Sequence, residues 1–195
     1  MVGGRPLGPR FYARDTTRVA RMLLGCILES RVDGRPTAGR IVEAEAYVGP
    51  HDAAAHGYRN RFTTRNAHLF GPPGSAYVYF VYGMHWCFNA VTEREDYPAA
   101  VLVRALEPVA GIEVMRERRE LADVRRLCAG PARLCQALGI TGAVSGTSLV
   151  DGPVRILSDR PGRRHPVQTG PRVGITKAAQ WPLRFWVEGS EFVSR

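Results

Sequence analysis

Residues 40–49, RIVEAEAYVG, alternate apolar and polar side chains with the period of a β-strand. Val42, Ala44, Ala46 and Val48 fall on one face, and Ile41, Glu43, Glu45 and Tyr47 on the other. The first face reads as core. The second sets two carboxylates and a ring on an element otherwise suited to burial, where charge is unusual. A carboxylate on a rigid strand beside a ring that can stack on a planar ligand suits hydrolysis at a base or sugar. An edge strand wearing solvated glutamates has the same pattern, and this stretch alone does not separate the two.

The same reading places the remaining elements. Asp15 or Thr16 caps a helix through Arg18 to Leu24, with Val19, Met22 and Leu23 as its apolar stripe and Gly25 as its end. Cys26 to Val32 is a strand, and Asp33-Gly34 turns it back into the organising strand as a hairpin. From Gly49 to Gly74 the chain is polar and almost aperiodic. It holds His51, His56, His68, Arg59, Arg61 and Arg65, which favours a ligand-facing loop over a disordered one.

Tyr77 to Tyr82 and Trp86 to Val91 then form an aromatic hairpin, with Tyr82, Met84 and His85 at or near its tip. Ala99 to Leu106 is a strand whose apolar run is broken by Arg104. A buried arginine must meet carboxylates, a phosphate or a catalytic task. Pro108 opens a charged helical region, and Gly130-Pro131 starts a helix through Leu138 with Leu134, Cys135 and Leu138 inward. Ser148 to Val150 and Val154 to Leu157 flank Asp151-Gly152-Pro153 as a hairpin. Ser158 to Gly170 is a basic loop, and Arg172 to Ile175 and Leu183 to Val187 are closing strands.

Length and charge narrow the function classes. A chain of 195 residues is one domain, 1–195, with 1–9 flexible. A formal net charge of +9 implies a polyanionic partner. In that setting the hairpin tip suggests a wedge that enters a nucleic-acid groove and unstacks bases; packing on its own domain is the alternative. Almost all the positive charge is arginine, since Lys177 is the only lysine. Cys26, Cys87, Cys128 and Cys135 form no CxxC pair and read as reduced core thiols of an intracellular protein. No apolar run reaches membrane-spanning length and the start lacks a signal-peptide middle, so a soluble, cytoplasmic protein with no membrane partner is expected.

A strand carboxylate, flanking tyrosines, a histidine loop, an aromatic tip and a basic surface are the parts needed to act on a base in duplex DNA. That base must be extruded at a cost of about a few kcal/mol and held between rings. In VEAEAYVGPHDAAAH, TTRNAHLFGPPGSAYVYFVYGMHWCFN, VLVRALEP, CAGPARLCQALGI, GPRVGI and PLRFWVEGS the chain resembles the alkyladenine (3-methyladenine) DNA glycosylases of mammals and many bacteria. The motifs run in the family's order across nearly the whole chain from Arg10 onward.

The resemblance implies an α+β domain with a curved antiparallel sheet, surrounding helices and a protruding hairpin. It implies a base-excision enzyme that flips out alkylated or deaminated purines from double-stranded DNA, a likeness that carries no cofactor and no metal. Glu45 would deprotonate the attacking water, held also by Arg104 and the backbone carbonyl of Val173. Tyr47, His56 and Tyr79 would line the pocket, the His56 amide would read the base edge, and Asn89 would reject the 2-amino group of guanine. Tyr82 would fill the gap in the duplex, with Gly83 and Met84 in the minor groove. Glu43 shares the face of Glu45, and only the EAY match selects the latter. Burial beside Tyr47 should raise the Glu45 pKa and Arg104 should lower it.

The lone Lys177 lies outside the matched motifs, which argues against a Schiff-base lyase. A monomer is expected, with nucleoid association if the protein is bacterial. Two rivals use the same residues: a nucleic-acid-binding protein without catalysis, and a metal hydrolase built on His51, Asp52 and His56. The second lacks an HExxH helix and a third ligand. A zinc nucleobase deaminase is disfavoured because no PCxxC follows any HxE.

Overall fold

In the computed structural model, which describes residues 3–81, 83–158 and 166–194, the organising stretch is the strand Thr37–Tyr47, here β2. The other strands are β1 (Ile27–Ser30), β3 (Ala76–Val81), β4 (His85–Val91), β5 (Ala100–Ala110), β6 (Val154–Leu157), β7 (Val167–Gly170) and β8 (Arg184–Val187). All the pairings are antiparallel, and the main path runs β3-β4-β5-β2-β1-β6. The α+β class is as the resemblance implies.

β5 covers one edge of β2 along almost its whole length, from Ala38 to Tyr47. The other edge is shared: β1 takes Thr37 to Arg40 and β8 takes Glu43 to Glu45. Between the two partners the β2–β5 register slips twice. Val42 is extra on β2 and Arg104 is extra on β5. A bulge re-aims the side chains that follow it. Core residues therefore step by three, from Ile41 to Ala44 on β2 and from Val103 to Leu106 on β5.

Ile41, expected on the carboxylate face, thus lies in the main core, and the bulge is the reason. Beyond it the alternation holds, with Ala44 and Ala46 inward and Glu43, Glu45 and Tyr47 on the opposite face.

The core lies on one face of the sheet under the helices α1 (Pro9–Tyr12), α2 (Thr16–Leu23), α3 (Ile112–Arg119), α4 (Val124–Leu127) and α5 (Pro131–Leu138). Asp15 caps α2 through the Arg18 N–H at 2.8 Å. Val19, Ala20 and Leu23 of α2 are buried, whereas Met22 is exposed, so the expected stripe is displaced by one position. Leu134, Cys135 and Leu138 of α5 are buried as expected, and Gly139 ends the helix at φ 69°. All four cysteines are buried, as expected of core thiols.

Three further expectations change. Pro108 does not open a helix: it lies within β5 opposite Gly39, beside a register shift, where the missing N–H is tolerated. The helical region starts after Gly111 and is broken at Glu120, which takes a left-handed φ of 50°. Ser148 to Val150 is a turn with one bridge to Ser75, and β6 pairs with the long open edge of β1 instead.

Arg172 to Ile175 is a loop, because β8 takes its partner earlier, from Val167 to Gly170. The start of the chain is tied down from Arg5, whose carbonyl accepts the Ser158 N–H at 2.8 Å, and Leu7 donates to Ile156 at 2.9 Å. No helix among the described residues is long and apolar enough to cross a membrane.

Candidate active site

Register builds the site. Tyr77 on β3 lies opposite Asn89 on β4, Asn89 opposite Leu102 on β5, Leu102 opposite Glu45 on β2, and Glu45 opposite Arg184 on β8. Directly opposed residues point to the same face. A phenol, an amide, a carboxylate and a guanidinium are thus set in one row on the face away from the helices.

Above this row is a cavity of ≈ 200 Å³ walled by Tyr47, His56, Tyr77, Tyr79, Asn89 and Ile175. Tyr47, His56, Tyr77 and Tyr79 give it an aromatic side. The His56 and Tyr79 ring centroids are 4.4 Å apart at 71°, and Tyr77 and Tyr79 are 5.5 Å apart. Asn89 donates its amide to the Tyr77 carbonyl at 3.0 Å, which fixes the orientation of its side chain in the wall. The four residues expected to line a base pocket are together.

Tyr77 was not among them. It is buried, and its hydroxyl lies 2.8 Å from His56 Nδ1. Strand alternation puts it on the face of Tyr79, and that was the available signal. His56 opens to solvent at the cavity, yet packing against the tyrosines and the charge of Arg65 lower its pKa.

The long loop that carries His56 is ordered by side chains. Asn66 caps back on Thr63 and donates to the carbonyls of His56, at 3.0 Å, and Arg61, at 2.9 Å. Asp52 is taken up by Arg172 in a buried ion pair. Of the His51, Asp52 and His56 reading, Asp52 is thus committed to Arg172 and His56 contacts the Tyr77 hydroxyl, and among the described residues no three metal-ligating side chains converge.

Glu45 has no exposed surface and lies behind Tyr47. Its Oε2 accepts the Tyr47 hydroxyl at 3.0 Å and its Oε1 accepts the backbone N–H of Val173 at 2.8 Å. Arg104 Nη1 is 3.4 Å from Oε1. The amide of Val173 is the backbone group against the carboxylate. Burial pushes the Glu45 pKa above the ordinary carboxylate value, outweighing Arg104, the Val173 amide and the Tyr47 hydroxyl.

Glu43, equally buried, accepts from Arg104 Nε at 3.2 Å, Arg184 Nε at 2.6 Å, and the Ser194 N–H and hydroxyl at 2.7 and 2.9 Å. Arg104 is thus shared by both carboxylates. Its place in the bulge brings this about.

At the hairpin, Gly83 turns at φ 68° and Met84 is 69% exposed. Tyr82 lies outside the described residues. Among the described residues, this bare thioether side chain at the end of the β3–β4 hairpin is left largely in solvent.

Residues 10–191 match the family model for methylpurine-DNA glycosylase. The chain belongs to this family. It is a DNA glycosylase, a hydrolase of base-excision repair for alkylated bases. A provisionally named 3-methyladenine DNA glycosylase of Methanoculleus marisnigri is 54% identical over 189 residues, covering 95% of this chain and 96% of that one. Provisionally named 3-methyladenine DNA glycosylases of Rhodopseudomonas palustris (strain HaA2) and Bacillus cereus are 52% and 44% identical. They cover 98% and 96% of this chain, and 91% and 98% of their own.

Proposed function

We propose that this member of the family flips alkylated or deaminated purines out of double-stranded DNA and hydrolyses their N-glycosidic bond, leaving an abasic site without cutting the strand. The observation that carries this reading is the aromatic cavity with a carboxylate directly behind its wall. Tyr47, His56 and Tyr79 sandwich the extruded base, and 3-methyladenine or 7-methylguanine, being cationic, is drawn to such walls. Asn89 in the floor discriminates against the 2-amino group of guanine.

Water attacks C1′ of the oxocarbenium-like sugar, and its proton passes to the ionised Glu45. The glycosidic electron pair leaves with the base, neutralising an alkylated purine. Arg104 and the Val173 backbone hold the water and the carboxylate. Hypoxanthine and ethenoadenine enter the same cavity and, being neutral, must take up a proton from solvent as the bond breaks so that they leave uncharged. Met84 and Tyr82 occupy the duplex where the base has left. Lys177, the only lysine, is exposed and takes no part in the cavity wall, which supports hydrolysis over a Schiff-base route. The enzyme acts as a monomer.

The test uses duplexes carrying one ethenoadenine, hypoxanthine or 7-methylguanine, treated with protein and then hot alkali, with Glu45→Gln alongside. Cuts that need alkali and vanish in the variant are expected. Cuts without alkali would replace the hydrolytic route with a lyase, and tight binding with no cuts would leave a binding protein.

A further inference from the structure

Arg172 and Asp52 form an ion pair with no exposed side-chain surface, outside the roles assigned above. Asp52 organises the loop after β2: its Oδ1 accepts the Ala54 N–H at 3.0 Å and its Oδ2 the Val48 N–H at 3.3 Å. Ala54, Ala55 and His56 of that loop wall the cavity. Arg172 meets Asp52 with a two-pronged contact, Nη2 to Oδ1 at 2.8 Å and Nη1 to Oδ2.

Nη1 also donates to the carbonyl of Ala46, the residue between Glu45 and Tyr47, at 3.0 Å. The guanidinium carbon stands 4.6 Å from the centroid of the Tyr47 ring. One residue further on, Val173 donates its N–H to Glu45. A single planar cation thus touches the catalytic strand, the ring in front of the carboxylate, and the loop that caps it.

Stability alone does not call for this arrangement. A buried ion pair is often replaceable by apolar side chains of similar volume at no net cost, because desolvation offsets its attraction. What apolar side chains cannot supply is a fork that fixes three directions at once.

Resting on the base-excision reading, we propose that Arg172, held by Asp52, is a positioning residue that sets the Val173 N–H against Glu45 and pins the Tyr47 ring over it. Loosening it slows bond hydrolysis far more than it weakens lesion binding.

The experiment measures single-turnover excision of ethenoadenine, affinity for the same duplex and thermal midpoint, across pH. It compares the wild-type chain with Arg172→Lys and with the double variant Asp52→Asn, Arg172→Met. The lysine keeps charge and loses the fork; the double variant removes both charges and leaves neither uncompensated.

Excision about 10- to 100-fold slower, with affinity changed much less, is the expected result. The acid limb of the rate should also move to higher pH, since a displaced Val173 N–H favours ionised Glu45 less. The Tyr47 hydroxyl, a second donor to Glu45, loosens with its ring and moves the limb the same way, whereas Arg104 on β5, Arg184 on β8, Glu43 on β2 and Cys87 on β4 are unaltered. An unmoved acid limb with rate and affinity falling together would overturn the proposal, as would wild-type rates in folded variants. Failure of both variants to fold would assign the pair to stability and overturn it equally. A wild-type chain that excises nothing would instead refute the base-excision reading itself.

Discussion

Glu43 and Glu45 stand two residues apart on one face of β2, both without exposed surface and both in reach of Arg104. Their surroundings divide them. Around Glu43 are two guanidinium Nε atoms, a backbone N–H and a hydroxyl. A carboxylate bound so fully ties β2, β5, β8 and Ser194 together. Glu45 has one hydroxyl, one amide and a longer contact to a shared arginine, and burial raises its pKa. Burial alone therefore does not separate the two carboxylates. The number and charge of the donors around each one does, and the role proposed for Glu45 rests on that difference.

The two carboxylates should respond oppositely to loss of charge. Glu45→Gln should lower single-turnover excision by about 10²- to 10⁴-fold, the range for removal of a positioned general base. Its thermal midpoint at neutral pH should hold or rise. The sign follows from linkage: with a folded pKa above the unfolded value of about 4.3, Glu45 contributes fully below that value. That contribution is lost as pH rises through the folded pKa, and a neutral glutamine escapes the loss.

Glu43→Gln should instead cost about 3–5 kcal/mol, since Arg104 and Arg184 then face a neutral amide in a buried site. Denaturant titration would read this, while the folded fraction keeps chemistry at its own rate. Loss of stability in both variants, or of catalysis in both, would erase the distinction.

A smaller effect sharpens the assignment to Glu45. Excision of a cationic base should rise with pH along an acid limb centred above the ordinary glutamate value, because the ionised form takes the water proton. A limb at or below that value would mean that Arg104 prevails over desolvation. It would give Glu45 the electrostatics expected of a merely structural carboxylate.

Much of this site is legible in the chain. Alternation is a local property, so RIVEAEAYVG and the AYVYFV hairpin place Glu45, Tyr47 and Tyr79 correctly without tertiary information. Ile41 is misplaced because the bulge arises where β1 hands the edge of β2 to β8, a distant partner in sequence whose Arg184 reaches Glu43 across 141 positions. Arg172 to Ile175 has strand-like composition, but its backbone turns at Gly174, φ 76°, and serves as a cap over Glu45. The ion pair between Asp52 and Arg172 joins positions 120 apart, and no spacing rule reveals it. Spacing also could not choose between the glutamates; that choice needed the family resemblance, and donor counting now gives it a physical basis.

The finest division between the two carboxylates is the Tyr47 hydroxyl, which touches Glu45 and is absent from the donors of Glu43. Tyr47→Phe keeps the ring in the cavity wall and its stacking on Arg172, so stability and lesion affinity should change little. It removes the donor to Oε2 of a carboxylate that burial already disfavours as an anion. A neutral hydrogen bond is worth about 0.5–1.5 kcal/mol, so excision at neutral pH should fall by about 2- to 10-fold. The acid limb should shift upward, and rates well above it should recover toward wild type. A uniform loss at every pH would mean that the hydroxyl acts on the base or the sugar rather than through Glu45. That would move Tyr47 from the support of the carboxylate to the recognition of the lesion.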